Sequence, residues 1–190
     1  VEKALENAGQ TTTTTSGDSV STVYDVSAVA EAAMPSLVSI TNMGEQEIQS
    51  FFGTYTQASE SSGTGIIVGK NDDELLIATN NHVVEGSEQL NVCFIDNEIV
   101  SALVKGTDAT NDLAVIAVSL SDIPEETLNK ISIAQLGDSE SLKIGEPVIA
   151  IGNALGYGQS VTTGVISALD REVTIENMTS SLIQTDAAIN

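Results

Sequence analysis

The sequence has no tryptophan, only three Phe and three Tyr, one Cys, three Pro, and six Lys plus Arg in 190 residues. With so few rings, a core must be assembled from Val, Ile, Leu and Ala. These residues alternate with polar ones in short runs, which favours strands over helices. The single cysteine, Cys93, excludes an intramolecular disulfide, and between Val92 and Phe94 it reads as a small buried hydrophobe, not a nucleophile. The longest uninterrupted apolar run, Leu113 to Val118, has six residues, far short of the roughly 20 that span a bilayer. Positive charge is scarce: six Lys plus Arg against 27 Asp plus Glu leave a net charge of -21. Such a surface repels phosphate backbones and anionic lipid headgroups, so nucleic acid is excluded as a partner. The same charge confers solubility before it implies any recruitment of basic substrates. The chain opens on Val1 with no charged-then-apolar leader, and both ends read as cut.

What is present is enough for a core: 41% of the residues are hydrophobic, and the length suits one sizeable domain or two small barrels. Residues 1–22 include Thr11-Thr12-Thr13-Thr14-Thr15-Ser16-Gly17, a low-complexity stretch expected to be a disordered tether. Between Tyr24 and Met34, the residues Val26, Val29, Ala30 and Ala33 fall at helical spacing, with Ser27 as cap and Pro35 at the end. Strand-like runs follow at Leu37–Asn42, Ile48–Tyr55, Gly65–Val68, Glu74–Ala78, Gln89–Ile95, Ile99–Lys105 and Asp112–Val118. Asn71-Asp72-Asp73 and Asp96-Asn97 are expected to be hairpin turns, and no intervening helix is long enough for parallel crossovers. The expected topology is therefore antiparallel, a closed barrel over 23–120 including the helix. A connection with Pro124 and Glu125-Glu126 spans 121–146, and 147–190 holds strand runs at Pro147–Ile151, Ser160–Leu169, Val173–Ile175 and Leu182–Thr185. These are too few to close a second barrel of the same kind.

Two residue types stand out chemically. An imidazole serves as general base near neutral pH when a buried carboxylate fixes its tautomer, and His82, the only histidine, and Asp112 are candidates for those roles. Taken singly, each also reads as an ordinary turn residue. The glycines of Gly152-Asn153-Ala154-Leu155-Gly156-Tyr157-Gly158 fail as a phosphate loop, since no Lys-Ser/Thr pair and no helix follows. Gly63 and Gly65 read as places of close backbone approach at a strand start. Asn71-Asp72-Asp73-Glu74 lacks the spacing and central glycine of a calcium loop and reads as a solvated turn, so no metal and no cofactor is expected. Asn177-Met178-Thr179 matches the glycosylation acceptor pattern, which matters only in a secretory host.

The words around these residues carry a resemblance. Ser62-Gly63-Thr64-Gly65-Ile66-Ile67-Val68, Thr79-Asn80-Asn81-His82-Val83-Val84, Asn111-Asp112-Leu113-Ala114-Val115, Ile151-Gly152-Asn153-Ala154-Leu155-Gly156, Val161-Thr162-Thr163-Gly164-Val165-Ile166-Ser167-Ala168 and Ile183-Gln184-Thr185-Asp186-Ala187-Ala188-Ile189-Asn190 occur in that order. Together they closely resemble the protease domain of the HtrA (DegP-like) serine proteases, from about Tyr24 onward. The resemblance implies an all-β, chymotrypsin-like pair of antiparallel barrels, the first complete and the second incomplete in this chain. It implies His82 as general base and Asp112 as its orienting acid, 112 - 82 = 30 residues apart.

In that family the segment matching Gln184 to Asn190 leads into a Gly-Asn-Ser-Gly-Gly motif that supplies the nucleophile and the oxyanion donors. That motif is not among the 190 residues. Ser160, Ser167, Ser180 and Ser181 lack the setting of an exposed nucleophile and read as strand or loop residues. The function implied is that of an endopeptidase acting on unfolded or damaged proteins in quality control outside the cytoplasm, with this chain inactive by itself. By the same resemblance, a homotrimer with contacts near Tyr24, a membrane anchor upstream of the tether and a regulatory loop over Asp170 to Ser180 are expected. The competing reading is a non-catalytic module that binds extended peptides along a sheet edge, from a split or degenerate protease. A Pro-Gly-Asn-Ser-Gly-Gly continuation of the gene would favour the enzyme, and a stop codon or replaced serine the module.

Overall fold

The computed structural model describes residues 25–50, 53–153, 159–175 and 178–189. The tether, Tyr24, the 154–158 part of the glycine-rich turn and Asn177 lie outside the described residues. Helix α1 (Ser27–Ala33) leads through a 3-10 turn containing Pro35 into β1 (Leu37–Ser50). Ser27 is not its cap. The carboxylate of Asp25 accepts from the Ser27 amide at 3.0 Å and the Ser27 hydroxyl at 2.6 Å, so the serine is itself held by the residue two before it.

Six strands close into an antiparallel barrel in the order β1-β2-β3-β6-β5-β4. The remaining members are β2 (Gly53–Lys70), β3 (Glu74–Thr79), β4 (Ser87–Cys93), β5 (Ile99–Asp108) and β6 (Leu113–Ser119), with the short helix α2 (Asn81–Val84) between β3 and β4. The sequence pattern suggested seven runs where six strands form. Ser50 pairs with Gly53, so the chain reverses inside the run read as Ile48–Tyr55, where Phe51 and Phe52 gave no turn signal. Alternation does the rest. In β3, Leu75, Ile77 and Thr79 point inward; in β6, Ala114, Ile116 and Val118 do so. Except for the polar Thr79, they join Val38, Ile40, Ile67, Leu90, Val92, Phe94, Val100 and Ala102 in one mainly aliphatic core, and each large side chain fully buried contributes about 1.5–3 kcal/mol.

Both expected turns form. Asn71 Oδ1 accepts from the Asp73 and Glu74 amides at 2.9 and 2.7 Å, and Asn97 takes φ 67° in the turn after β4. Cys93 departs from the reading of a buried residue: it is only half-buried, because its neighbours Val92 and Phe94 take the inward positions. Burial, and after it the charge of Asp96, push its thiol up, which keeps it protonated and unreactive.

Beyond the barrel, the helix α3 (Glu125–Leu128) is tied back by Asp96, whose Oδ2 accepts from Thr127 Oγ1 at 2.9 Å and Lys130 Nζ at 3.1 Å. Burial works to raise the Asp96 pKa, but the bonds from Lys130, Thr127 and the Glu98 amide, with the Lys130 charge, outweigh it and lower the value. A carboxyl lowered on folding stabilises above its unfolded pKa of about 3.9, and that contribution disappears as pH falls through the folded value. Urea unfolding should therefore show wild type more stable than Asp96→Asn at pH 6, with the gap narrowing below about pH 4. A gap independent of pH would show that the carboxylate does not act through its charge.

Strands β7 (Pro147–Gly152), β8 (Ser160–Ile175) and β9 (Met178–Thr185) form a three-stranded antiparallel sheet. The runs Ser160–Leu169 and Val173–Ile175 prove to be one strand, irregular in register at Ile166–Arg171, where Asp170 takes φ 53°. The Asp170–Ser180 segment thus belongs largely to the β8–β9 hairpin. Only Asn153, Ile166 and Ala187 are buried among the described residues of this region, as expected of three strands too few to enclose a core.

Candidate active site

The β3–β6 pairing places the ends of two adjacent strands side by side, with Thr79 opposite Ala114. The chain leaving β3 at Thr79 turns into α2, which carries His82; the chain entering β6 arrives through Asp112. Two residues distant in sequence therefore meet at one rim of the barrel. Val83 and Val84 on α2 are buried in the core and anchor the turn, while the His82 ring stays outside.

The contact between His82 and Asp112 is two-pronged. Asp112 Oδ2 lies 2.7 Å from His82 Nδ1, and Asp112 Oδ1 accepts from the His82 backbone amide at 2.9 Å. An ionised carboxylate only accepts, so the neutral ring carries its proton on Nδ1 and leaves Nε2 with a lone pair. Burial alone would raise the Asp112 pKa, but the His82 amide, the ring hydrogen bond and the ring's charge together lower it. The carboxyl is thus ionised throughout the neutral range. Such a pair can accept a proton at Nε2 and hold the resulting imidazolium against a negative charge.

The backbone of Asp112 takes φ 52°, a left-handed conformation that Asp tolerates better than most side chains. The pattern read it as the first strand residue; it is the last turn residue, and β6 starts at Leu113. The preceding turn is braced by Asp108, whose Oδ1 accepts from the Thr110 and Asn111 amides at 3.0 and 3.1 Å and whose Oδ2 accepts from Asn111 Nδ2 at 2.7 Å. The structure also supplies a residue given no role from sequence: Asn80 Nδ2 donates to the Asp112 carbonyl at 2.9 Å, tying the approach to α2 to the turn that presents the carboxylate. Its position two residues before His82 was the only available signal.

The carboxylate is less enclosed than expected of an orienting acid: the side chains of His82 and Asp112 are 69% and 46% exposed. Both sit at the barrel rim, and Leu113 and Val115 of the adjoining strand are exposed as well. The three-stranded sheet docks at another point, where Asn153 donates from its amide to Thr64 Oγ1 and from Nδ2 to Ser39 Oγ, each at 2.8 Å. Ser39 and Thr64 are cross-strand partners, so one residue bridges β1 and β2. The segment after β9 crosses β8: Asp186 Oδ1 accepts from the Val165 amide at 2.7 Å and Thr162 Oγ1 donates to the Ala188 carbonyl at 2.7 Å. Ser160 and Ser167 belong to β8, and Ser180 and Ser181 to β9. Among the described residues, no three His, Cys, Asp or Glu side chains converge as a metal site requires, and no helix is long and apolar enough to cross a membrane.

The family model of the trypsin-like peptidase domain matches residues 63–190. The serine protease Do-like HtrA of Bacillus subtilis (strain 168) is 39% identical over 176 residues, 87% of this chain and 38% of that protein. A protein of Hahella chejuensis (strain KCTC 2396) named "Probable periplasmic serine endoprotease DegP-like" is 40% identical over 134 residues, 70% of this chain and 26% of its own length. Among solved structures, the HtrA-type protease AlgW with decapeptide superposes with a TM-score of 0.68 at 29% identity, covering 87% of this chain and 52% of that one. The chain thus spans about two fifths or less of these two curated relatives. Its barrel, its sheet and its sequence together show that it belongs to the trypsin-like peptidases, and among them to the HtrA (DegP-like) serine proteases.

Proposed function

We propose that this chain carries the general base, His82, and the orienting acid, Asp112, of an HtrA-type serine endopeptidase that cleaves unfolded or damaged polypeptides outside the cytoplasm. The observation that carries the proposal is the two-pronged contact, 2.7 Å at the ring and 2.9 Å at the backbone amide, which fixes both the tautomer and the orientation of the imidazole. In this mechanism His82 Nε2 takes the proton of a serine hydroxyl as that oxygen attacks the peptide carbonyl, then returns it to the leaving amine. Asp112 holds the ring and stabilises the imidazolium without itself becoming protonated. The name of AlgW with decapeptide supports an extended peptide as the substrate class, and the periplasmic relative supports the extracytoplasmic setting. The serine is supplied by a Gly-Asn-Ser-Gly-Gly segment, which the 190 residues do not contain.

The purified 190-residue chain should accordingly show no turnover of a fluorescent unfolded-protein substrate. A form extended through a Gly-Asn-Ser-Gly-Gly segment should cleave it and react with a serine-directed phosphonate. Loss of oxyanion donors alone costs about 10²–10³ in rate, so the contrast is easily measured. Equal turnover by the two forms would overturn the assignment of the nucleophile.

A further inference from the structure

Along β1 the inward positions run Val38, Ile40 and Asn42, the first two fully buried and apolar, and the third equally hidden at 4% exposure but polar. A barrel interior offers no reason of its own for an amide there. The reason is α2: a one-turn helix pushed into the mouth of a barrel buries carbonyl groups at its C-terminal end that no further turn satisfies. Asn42 Nδ2 has two hydrogens and gives both, to the Val83 carbonyl at 3.0 Å and the Glu85 carbonyl at 3.1 Å. Ser61, the cross-strand partner of Asn42, adds its hydroxyl to the Val83 carbonyl at 3.3 Å. Gly63 completes the seat: a Cβ there would stand 2.5 Å from Val83 Cγ2, so only glycine lets α2 settle against β2.

We infer that Asn42 is a positioning residue for His82, acting through the backbone of α2 and not through substrate. The inference rests on the reading of His82 as the base. The ring is fixed by Asp112 from outside the barrel; Asn42 fixes from inside the two residues, Val83 and Glu85, that follow His82. Rotation of α2 would break both prongs of the Asp112 contact, and the inner clamp opposes it. Among the described residues, Asn42 Oδ1 is buried with no protein hydrogen-bond partner. Leucine at the same inward position would bury more apolar surface but strip the Nδ2 donor from the Val83 and Glu85 carbonyls, so the amide is there for α2.

His82 is the only histidine, so its ring resonances in the 190-residue chain are assigned by composition. Its backbone amide, bonded to Asp112 Oδ1, reports the same contact by hydrogen exchange. Asn42→Ala should speed exchange of the His82 amide about tenfold or more and shift the ring resonances. Val118→Ala, which opens a cavity elsewhere in the core, should leave both unchanged after correction to equal global stability. Asn42→Ser, which keeps one donor, should lie between and covers the case in which alanine prevents folding. Equal exchange in the Asn42 and Val118 variants would overturn the inference, leaving Asn42 a general stabiliser. Asp112→Ala keeps the two readings apart: if it leaves the His82 amide and ring unchanged, the pairing with Asp112 fails, whatever Asn42 does.

Discussion

In an active protease that contains this chain, His82→Ala should lower kcat by on the order of 10⁴–10⁶, with Asp112→Asn close behind at about 10⁴. The alanine removes the acceptor of the serine proton, so the nucleophile must attack as a neutral hydroxyl. The asparagine keeps the shape of the carboxylate but presents an amide where His82 Nδ1 and the His82 backbone amide both donate. One amide oxygen cannot serve both prongs, and the ring loses either its tautomer or its orientation. KM should change little, since neither side chain is argued to bind the ground-state peptide. Stability should also change little for His82→Ala, because a ring 69% exposed contributes little to the core, within about 0.5 kcal/mol by thermal unfolding. Full activity of His82→Ala would remove the histidine from the mechanism. A loss of activity matched by a loss of folding would assign it a structural role instead.

The pair was legible in sequence because each member sits in a short word whose neighbours also have fixed tasks. Val83 and Val84 anchor the turn bearing His82, and Leu113 to Ser119 is the strand that Asp112 introduces. Alternation marked strands such as β3, where every second residue is buried, better than β5, whose second half is exposed throughout. What sequence could not carry was conformation at single residues and contacts across distance. The left-handed φ of Asp112 shifted the strand start by one residue, and nothing in an Asn-Asp-Leu string announces it. The bond from Asn80 joins residues 32 apart through a backbone carbonyl, which has no side-chain signature. The pairing of Ser50 with Gly53 inside the Ile48–Tyr55 run has no Gly, Pro, Asn or Asp ahead of Gly53 to announce it. Asn42 is the opposite case: an amide at an inward position breaks the apolar alternation of β1, a signal that was present but had no partner to explain it.

The largest effects on stability are expected at the centre of the barrel, where Gly65 and Ile77 occupy one volume. The sequence pattern suggests close backbone approach at Gly65, and what fills the space above it is side chain. A Cβ there would stand 2.6 Å from Ile77 Cγ2, 2.9 Å from Ile40 Cδ1 and 2.9 Å from Val38 Cγ2. All three of those residues are fully buried, so none can swing aside into solvent. Gly65→Ala should therefore destabilise by about 1–3 kcal/mol through overpacking. Ile77→Ala should cost about 2–5 kcal/mol, the transfer free energy of its lost methyl and methylene groups plus a cavity that a closed barrel cannot collapse. The two changes are opposite in sign of volume at the same place. The double variant should then be more stable than the sum of the single effects implies, with a coupling of about 0.5–3 kcal/mol by urea denaturation. Strict additivity would mean that the methyl group added by Gly65→Ala is accommodated by β2 moving outward, and that the barrel is more compliant at this layer than a close-packed interior allows.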